Sequence, residues 1–320
     1  MGLHFPAMSV SHAFRPDRAP LVPPGGAELH VRDMTATFSA DLTMAEAQAK
    51  LLELEQWLPI DGDASWTLGR LVESYSTGPL RLGYGAWRDL LLGCQFLNGS
   101  GELVTAGGRT VKNVAGYDLT KFMVGQGGVF GRLVTITTRT YRRPTGGMVA
   151  RFAPDVWHVN RLLPTPCRPQ WVVHTSEATW CGYLGDERTV EYYGGAVAEY
   201  RPVELARRTV EEDMRHRAEL WRAAGAEGSF RAAVPPVRVL EFVRAAELTD
   251  WAADGAFGIV IGLAEISRRE AIGAAAREVG GSVYFVEDGR VRVEMDEGRR
   301  TLLERLKGAF DGQGKLEAMP

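Results

Sequence analysis

The chain has 320 residues, 45% of them hydrophobic and 24% charged, and carries a formal net charge of −3. This composition is typical of a folded globular protein with room for two domains, and it excludes a disordered or fibrous chain. The slightly negative charge excludes the diffuse basic field on which nucleic-acid binding depends, so no nucleic-acid partner is expected.

Residues 1–26 are rich in proline and polar residues and predict an N-terminal arm. No run approaches the roughly 18 apolar residues of a membrane span, and the first residues lack the apolar core of a secretory signal. The three cysteines show no C-x-x-C spacing and fit a reducing compartment. We therefore expect a cytoplasmic chain without a transmembrane segment, a disulfide or a metal centre.

The first regular elements are a strand and a helix. Alternating residues over 30–40 predict the strand. Thr43 and Glu46 have the spacing of a capping box, and apolar residues at helical spacing follow them. The pattern predicts a helix from Thr43 to Trp57, ended by Pro59.

From residue 66 to residue 141 the pattern changes to short strands and tight turns. Asn98-Gly99 predicts a hairpin, and the alternating segment 131–143 predicts a strand. Pro144–Gly147 is the clearest punctuation in the middle of the chain. We predict a domain boundary there.

The second half interleaves strands and helices without a strict β-α-β-α alternation. This pattern favours two α+β domains over one doubly wound sheet. The predicted elements are a strand at 148–152, a helix before Pro164, strands at 170–177 and 188–195, a helix over 203–222, a strand at 257–265, a helix over 267–281 with a Ser267/Glu270 capping box and a stop at Gly280, a hairpin over 281–295 and a last helix at about 297–309.

Glycine is concentrated in one segment, which holds thirteen glycines in the 54 residues from Gly78 to Gly131. Glycine permits positive φ and close backbone approach, and successive exposed N–H groups make a concavity that binds phosphate. In "GGRTVKNVAGYDLTKFMVGQGGVFG" the glycines flank Lys112 and Asn113, which favours a dinucleotide pyrophosphate as the ligand. Tight turns in a small sheet are the alternative. "GQGGVFG" misses G-x-G-x-x-G by one residue and precedes a strand, so the Rossmann context is wrong.

The segment "VKNVAGYDLTKFMVGQGGVFGRLVTITTRTYRRP" resembles the FAD-binding domain of the vanillyl-alcohol-oxidase, or PCMH, type. It is most similar to accessory FAD-binding subunits of bacterial glycolate oxidase, a 2-hydroxy-acid dehydrogenase complex. The resemblance continues upstream through "WTLGRLVESYSTGPLRLGYGAWRDLLLG" and near the C-terminus through "LLERLKGAFDGQGKL". It covers residues 28–145 well and the remainder loosely.

The resemblance implies four groups of FAD-binding residues and no catalytic or metal-binding residue. Lys112 would offset pyrophosphate charge, whereas Tyr117 and Asp118 also fit ordinary core architecture, with a carboxylate capping a buried hydroxyl. The implied groups are Thr67, Leu68 and Gly69 beside the flavin; Gly78, Gly85, Arg88 and Asp89 in the surrounding loops; Lys112, Asn113, Gly116, Tyr117 and Asp118 in the wall of the nucleotide cleft; and Gly125, Gly128 and Gly131 at the returning strand.

The sequence departs from this family at two places. Family members usually begin with an additional βαβ segment that binds the FAD pyrophosphate, whereas only about forty residues precede the first helix here. Arg70 stands where the family has the second glycine of Thr-Leu-Gly-Gly, so it would stack on or obstruct a flavin ring, or fill the space of an absent cofactor. The expected α+β fold is an N-terminal arm at 1–26, a PCMH-type FAD-binding domain truncated at its N-terminus at 27–145, and a smaller α+β cap domain with a C-terminal helix at 146–320.

The six histidines are scattered, and the Gly-His-x-Gly-x-Gly-Asn-x-His run of related catalytic subunits does not occur. The resemblance therefore implies an FAD-binding accessory subunit that does not act alone. Its partners would be the catalytic flavoprotein subunit and the iron–sulfur subunit of a glycolate oxidase-type complex. A cofactor-free scaffold that has lost flavin binding is the alternative, and a stand-alone flavin oxidase is a third hypothesis.

Overall fold

The computed structural model describes residues 22–109, 118–154, 162–224, 226–287, 290–293 and 297–319. Two antiparallel sheets, one of five strands and one of nine, organise this part of the chain, and two further strands pair with each other. Within the described ranges, no helix combines the length and apolarity that a bilayer crossing requires.

The five-stranded sheet is formed by the first part of the described chain. Its strands are β1 (Ala27–His30), β2 (Thr35–Ser39), β4 (Leu91–Leu97), β5 (Leu103–Gly107) and β6 (Arg132–Arg139), in the order β1-β2-β6-β4-β5, while β3 (Gln56–Trp57) pairs with β7 (Tyr141–Arg142). Its helices are α1 (Met44–Leu52), α2 (Leu68–Glu73), α3 (Arg81–Tyr84), α4 (Trp87–Leu90) and α5 (Leu119–Phe122).

The nine-stranded sheet is formed by the rest. Its strands are β8 (Gly146–Phe152), β9 (Trp171–Thr175), β10 (Thr179–Gly185), β11 (Glu204–Arg208), β12 (Ser229–Ala233), β13 (Trp251–Asp254), β14 (Ile259–Leu263), β15 (Ser282–Glu287) and β16 (Arg290–Val293), in the order β11-β8-β10-β9-β13-β14-β12-β15-β16. Its helices are α6 (Glu187–Ala198), α7 (Val210–Leu220), α8 (Val239–Ala245), α9 (Arg269–Glu278) and α10 (Glu297–Phe310).

The nine-stranded sheet contains the same strand arrangement twice. In the run from β8 to β11, and again in the run from β12 to β15, the first strand lies between the third and the fourth. This is the order of a ferredoxin-like β-α-β-β-α-β unit. The two units join edge to edge where β9 pairs with β13. The sequence shows no internal repeat, so the duplication is visible only in the fold.

Helix α10 returns to the five-stranded sheet. Phe310, its last residue, lies 5.5 Å from Phe122 and 5.9 Å from Phe130 between ring centroids. Phe96 of β4 completes this aromatic cluster at 6.4 Å from Phe310. Contacts therefore cross from the predicted cap domain to the predicted FAD-binding domain, and the boundary at residues 145 and 146 stays a prediction.

Several predicted elements are confirmed. The capping box of Thr43 and Glu46 begins α1, and the Asn98-Gly99 segment connects the hairpin β4–β5. Gly280 follows α9 with a φ of +76°. The strands predicted at 148–152, 170–177 and 257–265 and the hairpin over 281–295 also form, as β8, β9, β14 and β15–β16, and α10 is the predicted last helix.

The first helix is shorter than predicted, and the strand before it is a hairpin. Helix α1 ends at Leu52, because Trp57 is fully buried and Gln56 donates its side-chain N–H to the Val31 carbonyl at 3.2 Å. These tertiary contacts hold both residues in β3. The predicted strand over 30–40 is interrupted by a turn at Met34, whose φ is +51°.

Residues 188–195 form a helix, not the predicted strand. Asp186 accepts the N–H of Thr189 at 2.8 Å and begins α6, and Val190 and Val197 bury one face of it. A local cap and a seven-residue apolar spacing thus outweigh the β propensity of the Thr-Val-Glu-Tyr-Tyr run.

The predicted helix over 203–222 is a strand followed by a helix. Strand β11 occupies the edge of the nine-stranded sheet, and Thr209 and Glu212 form a capping box that begins α7. The Ser267/Glu270 capping box does not form, because a 3-10 turn at Ile266–Arg268 moves the start of α9 to Arg269. The helix predicted before Pro164 falls largely on residues outside the described ranges.

Candidate cofactor-binding site

The N-terminus of α2 carries the first predicted group. Thr67 is its N-cap residue. The N–H groups of Leu68 and Gly69 donate to the carbonyls of Leu42 and Ala40, each at 2.8 Å. A Cβ on Gly69 would lie 3.1 Å from the Ala40 carbonyl oxygen. This glycine therefore lets α2 approach the backbone that follows β2, and both N–H groups are already engaged within the chain.

Arg70 packs against the indole ring of Trp66. Its Cζ lies 3.5 Å from the ring centroid of Trp66, a cation–π distance. Burial lowers the pKa of its guanidinium, and Asp63 opposes that effect. Arg70 thus stacks on Trp66, and its effect on a flavin ring stays a prediction.

The loop at Gly78 is closed by Asp61. A Cβ on Gly78 would lie 2.6 Å from the Cβ of Asp61. The Asp61 carboxylate accepts the N–H of Leu80 at 2.8 Å and the Nε–H of Arg217 at 2.9 Å. Because Arg217 belongs to α7, this loop is fixed against the nine-stranded layer.

Gly85 and Asp89 form the next loop. Gly85 ends α3 with a φ of +90°, a conformation that favours glycine. Asp89 accepts the N–H of Ala86 at 2.9 Å and so begins α4. Arg88 is exposed, with its Cζ 5.5 Å from the ring centroid of Tyr75.

The glycine turn, residues 125–131, is also closed by the chain itself. The N–H groups of Gly125 and Gly127 donate to the carbonyls of Val72 and Glu73, each at 2.9 Å. The atoms that a Cβ would meet are Tyr75 Cβ at 3.1 Å for Gly125, Glu317 Cγ at 3.0 Å for Gly128 and Phe96 Cδ2 at 2.5 Å for Gly131. Each glycine thus permits a close contact within the protein.

The C-terminal motif "LKGAFDGQGKL", residues 306–316, makes hydrogen bonds to the glycine turn, and we call it the C-terminal clasp. Lys307 donates to the Val129 carbonyl at 2.9 Å and to Asp311 at 2.6 Å. Asp311, which is 4% exposed, also accepts the N–H groups of Lys315 at 2.8 Å and Leu316 at 2.9 Å. These bonds hold residues 311–317 across the turn.

Glu73 is a further titratable group at the turn, and no sequence pattern marks it. It ends α2, is partly buried, and accepts the N–H of Leu133 at 3.1 Å. Burial raises its pKa to about 7; the Leu133 hydrogen bond and Arg132 oppose the rise, while Glu317 and Asp41 add to it.

Of the residues predicted to line the wall of the nucleotide cleft, only Asp118 lies within the described ranges. Lys112, Asn113, Gly116 and Tyr117 lie outside the described ranges. Asp118 is exposed and accepts the N–H of Lys121 at 3.2 Å, so it caps α5.

The glycine turn does not fit a pyrophosphate. Gly125, Gly128 and Gly131 approach the chain's own atoms, and the N–H groups of Gly125 and Gly127 already have carbonyl acceptors. The carboxylate of Glu317 lies close to it and would repel a phosphate. Lys112 and Asn113 stay the predicted phosphate contacts.

The chain is similar to several flavin-linked proteins over part of its length, although no family model matches it. Glycolate oxidase subunit GlcE of Escherichia coli is 32% identical over 124 residues, which are 37% of this chain and 35% of that protein. The mitochondrial D-lactate dehydrogenase [cytochrome] of Arabidopsis thaliana is 30% identical over 122 residues, 38% of this chain and 22% of that protein. Glycolate oxidase subunit GlcD of Bacillus subtilis is 33% identical over 78 residues, 24% of this chain and 17% of that protein.

The fold agrees with these similarities. The solved structure of an alkyldihydroxyacetonephosphate synthase superposes with a TM-score of 0.62 at 12% sequence identity, covering 89% of this chain and 63% of that one. The relatives and this solved structure indicate a PCMH-type FAD-binding fold for the chain. The α+β PCMH-type fold predicted from the sequence is confirmed.

The three relatives share a chemical class. Glycolate and lactate are 2-hydroxy acids, so the relatives indicate a family of flavin-linked 2-hydroxy-acid oxidoreductases. The matched segment spans at most 35% of the length of these three relatives. Within the described ranges, no group of three His, Cys, Asp or Glu side chains could hold a metal ion.

Proposed function

We propose that the chain is an accessory subunit of a glycolate oxidase-type 2-hydroxy-acid dehydrogenase complex. It would act together with a catalytic flavoprotein subunit and an iron–sulfur subunit. The observation that carries this proposal is the extent of the two glycolate oxidase matches, which cover 35% of GlcE and 17% of GlcD. The accessory role is therefore preferred over the catalytic one.

FAD is the cofactor that the similarity to these proteins suggests, and it supplies redox chemistry when bound. The described residues shape the protein around the predicted cleft, through the caps at Thr67 and Asp89 and the clasp at Asp311. Lys112 and Asn113 are the residues we assign to the nucleotide, on the strength of the family motif.

A cofactor-free scaffold is the second candidate, and one observation favours it. The described glycines of the predicted site, from Gly69 to Gly131, each approach the chain's own atoms. These contacts within the protein are enough to explain why the positions are glycine.

Two measurements test these proposals. The chain is co-expressed with the catalytic and iron–sulfur subunits encoded in the same genome, and the mixture is analysed by size-exclusion chromatography. We expect one co-eluting complex whose glycolate-dependent dye reduction requires the chain. Separate elution of the chain would overturn the accessory role.

The flavin question is tested on the purified chain. Visible absorption and the fluorescence of flavin released by denaturation are measured before and after incubation with FAD. Bound flavin that is lost in Lys112→Met but kept in Lys121→Met supports the assigned nucleotide contact. No retained flavin in a chain that still joins the complex supports the scaffold.

A further inference from the structure

We propose that Arg81 binds the carboxylate of a small 2-hydroxy acid through its Nη edge, and that Asp254 controls this binding. The choice of a 2-hydroxy acid rests on the proposed function. Arg81 begins α3, between the loops of Gly78 and Gly85, and Asp254 ends β13 of the nine-stranded sheet. The site therefore lies where the two layers of the molecule meet.

Neighbouring side chains fix the guanidinium of Arg81, but they use only part of its capacity to donate hydrogen bonds. Its Nε lies 3.7 Å from Asp254 Oδ2, and its Cζ lies 3.7 Å from the ring centroid of Phe257. The Arg81 side chain is 15% exposed. Among the described residues, no acceptor makes a hydrogen bond to either of its Nη atoms. The two Nη groups of this oriented guanidinium are therefore available to donate hydrogen bonds to a ligand.

A planar carboxylate is the ligand that this edge fits. Two parallel N–H donors in the guanidinium plane match the two oxygens of one carboxylate, and Phe257 covers one face of that plane. Phe257 is itself 39% exposed, so the site lies close to the surface.

The surrounding charges favour an anion. Arg231 on β12 acts on both Arg81 and Asp254, and Arg88 contacts Tyr75, whose electrostatic influence also reaches Arg81. Asp89, the other nearby carboxylate, is engaged with the N–H of Ala86. Arg231 thus adds a second positive charge at the site, while Asp89 is already engaged in the helix cap.

Asp254 competes with the ligand for Arg81. It is 1% exposed, its Oδ1 accepts the N–H of Ala256 at 3.2 Å, and its Oδ2 has no hydrogen-bond donor among the described residues. Burial raises its pKa to about 7, opposed by Arg81, by the backbone N–H groups and by Arg231. Protonation of Asp254 releases Arg81 for an external carboxylate.

The remaining titratable neighbour of Asp254 is neutral near pH 7. His174 on β9 packs against the backbone of Gly255 and bonds Thr179 through Nδ1 at 2.8 Å. Burial lowers its pKa to about 4. A change in carboxylate binding between pH 6 and pH 8 that disappears in Asp254→Asn would therefore report Asp254.

Isothermal titration calorimetry of the purified full chain with glycolate tests the site. We expect glycolate to bind more tightly at pH 6 than at pH 8, and Arg81→Met to weaken binding about tenfold or more. Asp254→Asn should bind at pH 8 as tightly as the wild type binds at pH 6. Arg222→Met is the matched control, because Arg222 pairs with Asp250 on the surface.

Arg81→Met leaves Asp254 buried without its partner, so the double variant Arg81→Met/Asp254→Asn is measured beside it, with thermal unfolding to verify the fold. Loss of binding in a folded double variant supports the site. Glycolate affinity in that variant within twofold of the wild type would overturn it, as would an absence of binding to the wild type or equally tight binding of inorganic phosphate. The titration needs neither flavin nor partner subunits, so failure of complex assembly is a separate result.

Discussion

The Nε–H of Arg217 in α7 donates to Asp61 Oδ1 at 2.9 Å and connects the nine-stranded layer to the loop that precedes α2. Arg217 also pairs with Asp213, which accepts the indole N–H of Trp171 at 2.9 Å. The side chains of Arg217 and Asp213 are 3% and 0% exposed. A continuous row of buried polar groups therefore joins the two layers.

Arg217→Met is expected to lower the free energy of unfolding by about 3–5 kcal/mol, because it leaves two carboxylates without their shared cation in a buried site. Urea unfolding followed by circular dichroism measures the change. Arg222→Met, which breaks the exposed Arg222–Asp250 pair, should cost less than about 1 kcal/mol. Equal losses in the two variants would contradict the role given to the buried row.

The sequence predicts well those elements that are determined by a few adjacent residues. The capping box of Thr43 and Glu46 and the glycine after α9 are chemical signals carried by a few adjacent residues. The elements that it misses depend on distant partners. Strand β3 exists because Trp57 is buried and because Gln56 bonds Val31, and neither contact is visible in the local pattern.

In the candidate site, too, some features are visible in the local sequence and others depend on distant partners. Family motifs selected the glycines, but their physical role comes from partners far along the chain, as when Glu317 lies against Gly128 or Asp61 against Gly78. Arg81 lies inside a family motif and yet is distinguished only by Asp254, which follows it by 173 positions in sequence. Spacing alone does not reveal such pairs.

Gly99→Ala is expected to loosen the C-terminal clasp. The N–H of Gly99 donates to the Phe310 carbonyl at 2.8 Å, and a Cβ there would lie 2.6 Å from the Cα of Asp311. Such overpacking should cost about 1–3 kcal/mol of stability. Trypsin should also cleave after Lys315 faster than in the wild type.

Gly146→Ala is the control for this substitution. A Cβ at Gly146 would meet no atom within 4 Å, and its φ is outside the positive range. We expect its stability to stay within about 0.5 kcal/mol of the wild type. Unchanged cleavage after Lys315 in Gly99→Ala would contradict the clasp.

The three cysteines should be unreactive in the native protein. Cys94, Cys167 and Cys181 are all buried. Burial raises the pKa of the Cys94 thiol to about 12, with a further contribution from Asp118, and burial also raises the pKa of Cys181. Because the thiolate is the reactive form, a thiol reagent should label three groups per chain only after denaturation. Rapid labelling of the native chain would contradict this burial.

Glu73 should make stability depend on pH, and Glu73→Gln should remove that dependence. Burial raises the pKa of Glu73 from 4.5 to about 7, so the native chain favours the protonated carboxyl. The stabilisation from this proton is complete below about pH 4.5 and is lost as the pH rises through about 7. Glutamine stays neutral and can still accept the N–H of Leu133.

The two proteins should therefore be similarly stable at pH 4.5, and Glu73→Gln should become more stable by on the order of 1–3 kcal/mol at pH 8. Thermal unfolding at a series of pH values measures this difference, in which the titration of Asp254 cancels because both proteins contain it. Glu187→Gln is the control, since the Glu187 side chain is 87% exposed and should show no such trend. A constant difference between Glu73→Gln and the wild type from pH 4.5 to pH 8 would show that Glu73 titrates normally and that Glu317 and Asp41 do not act on it.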